Sequence, residues 1–217
     1  MENKLVVIAG MGKGISRAVA YKFGGEGYKI AMIARNENAL MGYRDELRAV
    51  GIESQYFTAD LGNEREIKKA FADIFNSMGN AGVLVYNAAA TKMKGILGED
   101  TESLGEDFKI NVAGALICVK EVLPGMKNVD KGTIIFTGGG LSLTPHPNYG
   151  SLAIGKAGIK NLTQSIAKLL EGTGVKAGTI TICGFVNETD EKYNPAAIAE
   201  KYWEIHTSLP NGTDIIY

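Results

Sequence analysis

Five runs in this sequence are almost wholly apolar and lack polar alternation: KLVVIAG (4–10), YKIAMIA (28–34), GVLVYNA (82–88), GTIIFTG (132–138) and AGTITICG (177–184). Their Val and Ile content marks them as strands. A strand with water on one face alternates polar and apolar residues, so strands without alternation are covered on both faces. Between them the period becomes helical. Ile15, Ala18, Val19 and Phe23 share one face over 15–24, and Ile67, Ala70, Phe71 and Ile74 share one over 63–78. Further helices are expected over 37–50, 101–124, 150–171 and 195–206, with further strands at SQYFTAD (54–60) and TDIIY (213–217). Pro124 and Gly125 are expected to end the long helix. Buried strands separated by helices specify an α/β fold, a doubly wound and mostly parallel sheet with right-handed crossovers. No linker or repeat interrupts the pattern, so residues 1–217 read as a single domain.

A chain of 217 residues can bury its core without disulfides or a structural metal. A net charge of −1 exerts no long-range pull on nucleic acid or an anionic membrane, so neither is expected as a partner. Cys118 and Cys183 sit in apolar sequence and are expected as reduced, buried packing residues. His146 and His206 are the only histidines and no zinc-like spacing exists, so no metal site is expected. The start MENKLVVIAG lacks the features of a secretion signal, and no apolar run is long enough to span a bilayer, which points to a cytoplasmic protein.

The stretch VVIAGMGKGIS joins the first strand to the first helix and crowds Gly10, Gly12 and Gly14 into one turn. Glycine there lets backbone approach a phosphate, while the helix behind offers free N–H groups and the positive end of its dipole. The spacing is not GxGxxG, because Ile15 takes the last glycine's place. It is nearer GxxxGxG, with Ser16 in place of the third glycine. After the first strand of an α/β sheet, this turn indicates an NAD(P)-binding Rossmann fold. Where NAD binders usually place an acid for the ribose 2′-hydroxyl, the chain reads Ala34, Arg35, Asn36. Arg35, with Lys13 in the turn, favours a 2′-phosphate through charge-assisted hydrogen bonds, hence NADP(H) over NAD(H).

Read in order, these and later segments resemble the short-chain dehydrogenase/reductase superfamily over nearly the whole chain. AGMGKGIS resembles its glycine turn, and Asp60 with Leu61 its acidic position near adenine. YNAA (86–89) resembles its Asn-Asn-Ala-Gly segment, with Asn87 and Ala88 kept. Asn111 in FKINVAGAL matches its helical asparagine, and Lys156 the lysine of its Tyr-x-x-x-Lys motif. ICGFVNET (182–189) resembles its Pro-Gly-x-Val-x-x-x-Thr segment, with Cys183 for proline. The resemblance implies a carbonyl or alcohol substrate, a nicotinamide cofactor and a homodimer or homotetramer built partly on the helices at 101–124 and 150–171. It also implies a cofactor groove lined by Gly10, Gly12, Lys13, Gly14, Ile15, Arg35, Asp60, Leu61, Asn87 and Lys156.

The departures fall on the chemistry. Leu152 stands where that family keeps its proton-donating tyrosine, and Gly139 where it keeps a serine that holds the substrate oxygen. Asn111 and Lys156 remain as catalytic candidates. Tyr149, seven residues before Lys156, is a candidate replacement acid, although two helical turns put it roughly 10 Å away along the axis. Thr137, Ser142 and His146 are further candidates, and Lys156 itself can donate a proton if burial depresses its pKa. Backbone N–H groups of Gly138, Gly139 and Gly140 are candidates to replace the serine. Tyr193, Tyr202 and Trp203 either line a substrate pocket or pack the last helix onto the body. Two functions stay open: an NADP(H)-dependent oxidoreductase with a non-standard proton donor, or a catalytically inactive NADP(H)-binding module.

Overall fold

The computed structural model describes residues 3–217. Its core is a sheet of seven parallel strands: β1 (Leu5–Ala9), β2 (Lys29–Ala34), β3 (Ser54–Thr58), β4 (Val83–Tyr86), β5 (Gly132–Thr137), β6 (Val175–Thr181) and β7 (Asp214–Ile216). Their order is β3-β2-β1-β4-β5-β6-β7, the doubly wound arrangement. Strand β1 shows why the apolar runs do not alternate. Leu5, Val7 and Ala9 enter one core while Val6 and Ile8 enter the other, so every position is buried.

Helices α3 (Glu64–Met78), α5 (Gly114–Asn128) and α6 (Gly150–Leu169) cover one face. They contribute Ile67 and Phe71, Cys118 and Met126, and Ile159 and Ile166 to its core. Helices α1 (Ile15–Gly25), α2 (Glu37–Ala49) and α7 (Pro195–Thr207) cover the other through Phe23, Leu40, Leu47, Tyr202 and Ile205. Short polar side chains start several of these helices by satisfying free N–H groups. Asn36 accepts from Ala39 N at 3.0 Å, and Asn194 accepts from Ala197 N at 2.8 Å ahead of Pro195.

The long helical region differs from expectation. It is α4 (Thr101–Phe108), a π-helical turn (Lys109–Ala113) and then α5, which runs past Pro124 to Asn128. Proline removes one N–H and crowds the carbonyl four residues back, on Lys120. Both Pro124 and Lys120 are exposed, so water can serve that carbonyl. Met126, fully buried two residues later, holds the last turn to the core. The sixth strand likewise ends earlier than expected, at Thr181, although Gly140 N still donates to Ile182 O and Cys183 N to Tyr217 O beyond it.

Candidate active site

All seven carboxyl ends lie on one edge of the sheet, and the strand order runs both ways from β1 and β4, so a crevice opens above those two strands. Gly10 follows β1 with φ +96°, and a Cβ there would collide with the Ala88 backbone, so only glycine fits. Gly12 and Gly14 differ. A Cβ on either would meet nothing within 4 Å, so protein packing does not call for glycine at these positions. The missing side chains leave open space before the free N–H groups of α1, which is what a phosphate requires.

Ser16 fixes the turn from beneath. Fully buried, it donates from Oγ to Gly10 O at 2.7 Å and accepts from Asn87 Nδ2 at 2.7 Å. Asn87 N in turn donates to Ala9 O at 2.8 Å. Sequence reasoning named Asn87 but gave Ser16 no role. Its signal was a small hydroxyl residue where a third glycine would stand.

Two adjoining clefts share Asn87, Ala89 and Thr91. The first, about 670 Å³, is bordered by Gly10, Arg35, Asp60, Leu61 and Asn87. The second, about 660 Å³, is bordered by Ile15, the glycines at 138–140, Tyr149, Leu152 and Lys156. Lys13 and Gly14 border a separate cleft between α1 and α7, away from Arg35. Arg35 is exposed at the rim of the first cleft, while Asp60 Oδ1 is engaged by Gly62 N at 2.9 Å.

Asn111 lies in the π-helical turn, where Oδ1 accepts from Ala90 N at 2.7 Å and ties down the loop after β4. Its Nδ2 is buried with no hydrogen-bond partner among the described residues. A Cβ on Gly155 would lie 2.6 Å from that nitrogen, so glycine allows the π turn and α6 to meet one residue before Lys156. Lys156 Nζ donates to Thr137 O at 2.8 Å. Burial alone lowers its pKa to about 8. Its stem crosses Gly139, where a Cβ would sit 3.4 Å from Cδ and Cε. Leu152, one turn earlier on the same helix, borders the same cleft.

The sequence model described as short chain dehydrogenase matches residues 4–196. The chain belongs to the short-chain dehydrogenase family. It is a family of oxidoreductases that use a nicotinamide cofactor. Human short-chain dehydrogenase/reductase 3 is 31% identical over 182 residues, which is 83% of this chain and 60% of that protein. Glucose 1-dehydrogenase of Gluconobacter oxydans is 29% identical over 183 residues, 82% of this chain and 68% of that one. The chain thus spans 60% of the length of its human relative. The crystal structure of serine dehydrogenase from Escherichia coli superposes with a TM-score of 0.85, covering 98% of this chain and 96% of that one. At 24% identity, that likeness concerns the fold.

Two of the other hydroxyl candidates are engaged. Thr137 Oγ1 shares a hydrogen bond with Tyr202 OH at 2.5 Å, and Ser142 Oγ donates to Gly139 O at 2.8 Å. His146 is exposed, and its Nδ1 accepts from Asn148 N at 3.2 Å. Tyr149 immediately precedes α6 and borders the cleft. Two of the three glycine N–H groups are spent on the sheet edge: Gly138 N donates to Ile180 O and Gly140 N to Ile182 O, each at 2.8 Å. They are not free to replace a serine. Tyr202 is fully buried and Trp203 packs edge-on against Phe23 at 5.2 Å, so both hold α7 to the body.

Cys118 is buried, and desolvation raises its thiol pKa. Cys183 is exposed, contrary to expectation: it lies past the end of β6 and borders the cleft that holds Lys156. Among the described residues, no helix is long and apolar enough to cross a membrane.

Proposed function

We propose that this chain is an NADP(H)-dependent oxidoreductase acting on a carbonyl or alcohol in small, apolar compounds. One observation carries the reading: the apolar cleft that holds Lys156 opens directly into the groove below the glycine turn. In this reading Gly10, Gly12, Gly14, Ile15, Asp60, Leu61 and Asn87 hold the dinucleotide. Arg35 and Lys13 take the 2′-phosphate, with Lys13 swinging in from its own cleft. Lys156 and Asn111 serve the nicotinamide end, and Tyr149 flanks the substrate. Reduced nicotinamide, when bound, supplies a hydride.

The substrate class follows from the walls. Leu141, Leu143, Leu152, Ile182, Phe185 and Val186 border the second cleft. A sugar, the substrate in the name of the Gluconobacter relative, would leave most of its hydroxyls without partners against such walls. An alkyl or aryl ketone or aldehyde would not. The chain acts as one domain over 1–217, in the cytoplasm. Exposed Phe108, Leu116, Ile154 and Leu169 on the α4, α5 and α6 region support a homodimer or homotetramer.

A second reading is favoured by Leu152 and Gly139, which bring no hydroxyl to the positions of the family's tyrosine and serine: an NADP(H)-binding module without turnover. Fluorescence titration with NADPH and NADH, followed by NADPH oxidation over a panel of apolar carbonyls and sugars, separates the two. Tight NADPH binding with turnover of apolar carbonyls supports the enzyme. Binding without turnover of any compound refutes it.

A further inference from the structure

We propose that Lys156 is itself the proton donor in carbonyl reduction, its ammonium passing a proton directly to the substrate oxygen. The proposal rests on the oxidoreductase reading above. Reduction needs one hydride at the carbonyl carbon and one proton at the oxygen. Lys156 supplies the proton, becomes a neutral amine, and regains a proton from solvent once the alcohol leaves.

The geometry favours Lys156 over its neighbours. It reaches into the second cleft from the same face of α6 as Leu152, which has no proton to give. Gly139 beneath it has no side chain, and a Cβ there would only touch the stem, at 3.4 Å from Cδ and Cε. Among the described residues only Thr137 O accepts from Nζ, which leaves two of its three N–H bonds for a substrate oxygen. Thr137 Oγ1, the nearest hydroxyl in sequence to that carbonyl, is already shared with Tyr202.

Among the described residues, no carboxylate lines this cleft. The ionisable groups that do, besides Lys156, are Tyr149 and Cys183. Acids on neighbouring elements are paired elsewhere: Asp107 of α4 with Lys92 at 2.7 Å and Ser151 Oγ at 2.7 Å, and Asp214 of β7 with Lys160 at 2.7 Å. Glu99 accepts from Ser151 N at 3.3 Å. The Lys156 ammonium therefore sits in a desolvated site without a counter-ion, which weakens its hold on the proton. A buried lysine with a pKa of about 8 is charged at neutral pH and is matched to proton transfer there.

The test has two readouts. The first needs no turnover. Reductive ¹³C-methylation of the free protein gives an NMR resonance for Lys156, identified by its loss in Lys156→Met, whose midpoint is expected at least one pH unit below those of the exposed lysines. A midpoint equal to theirs overturns the proposal.

The second is the NADPH-dependent reduction rate. It is expected to fall about tenfold per pH unit above the same midpoint. Lys156→Met is expected to lose 100-fold or more while still binding NADPH, and Lys156→Ala to be partly rescued by added primary amines, faster for those of lower pKa. In Tyr149→Phe, which removes only the hydroxyl from the substrate's flank, the rate is expected to keep its fall above the Lys156 midpoint. If Tyr149→Phe abolishes reduction while Lys156→Met keeps it, the donor is Tyr149 and the proposal fails with the enzyme reading intact. If the parent binds NADPH but reduces nothing, the enzyme reading fails, and the proposal with it.

Discussion

Ser16→Ala tests whether the glycine turn is held from inside the fold. The substitution removes one hydroxyl that makes two hydrogen bonds, to Gly10 O and from Asn87 Nδ2, each at 2.7 Å. Stranding a buried partner costs about 1–3 kcal/mol. Gly10 and Asn87 are only half-buried, so the low end applies to each and the sum is about 2–4 kcal/mol. Alanine is the better helix former and returns about 0.5 kcal/mol in the first turn of α1. The net loss is about 1.5–3.5 kcal/mol. With a urea slope of about 3 kcal/mol/M the midpoint falls by about 0.5–1.2 M, and Tm falls by about 3–14 °C. NADPH affinity should fall as well, because the turn that presents its N–H groups loosens. Combined with Asn87→Ala, a double-mutant cycle should return a coupling of about 0.5–3 kcal/mol, since both changes break one bond. Additive losses, or a Ser16→Ala cost below about 0.5 kcal/mol, would mean the network is incidental and the turn is held by its backbone bonds alone.

Arg35→Ala should weaken NADPH binding by about 10–150-fold, the value of one charge-assisted hydrogen bond of about 1.5–3 kcal/mol, while NADH binding changes less than about threefold. Equal losses for both cofactors in a fluorescence titration would remove the arginine from the 2′-phosphate. Pro124→Ala should stabilise the protein by about 1–2 kcal/mol in urea. It restores the N–H facing Lys120 O and relieves the ring clash, set against the extra freedom of the unfolded chain. A loss of stability would show that the proline kink is needed for packing. Asp107 has a lowered pKa, since burial opposes the charge but hydrogen bonds from Lys92 and Ser151 outweigh it. Its folded pKa lies below its unfolded one, so its stabilisation is present above about pH 4 and is lost as pH falls through the folded value. The stability gap between the parent and Asp107→Asn should be widest near neutrality and shrink toward pH 3, and a gap that widens on acidification would contradict this sign.

The sheet was legible because burial on both faces writes itself into each strand; Val6 and Val7 belong to opposite cores and both had to be apolar. The glycine turn was legible because a phosphate cradle restricts residue type locally. What was not legible depends on distant partners. Ser16 and Asn87 are 71 residues apart. The π turn at Lys109–Ala113 leaves no composition signal, since it exists to seat Asn111 against Ala90 and Gly155. Pro124 reads as a stop until Met126 is seen buried beyond it. Cys183 has apolar neighbours in sequence, but it lies past the end of β6 on the cleft wall, where it is exposed.

Lys156 and Lys160 show how far such placement decides chemistry. They are one turn apart on α6, and nothing in GKAGIK distinguishes them electrostatically. Strand β7 brings Asp214 to Lys160 at 2.7 Å, whereas β5 offers Lys156 only the carbonyl of Thr137 at 2.8 Å. A lone carbonyl in a desolvated site does not offset the hydration Lys156 has lost. The same helix therefore carries one lysine paired with a carboxylate and one that lines the cleft without one. The difference is made by which strand ends beneath each turn, so moving an acid to Lys156 would disable it as surely as removing its amine.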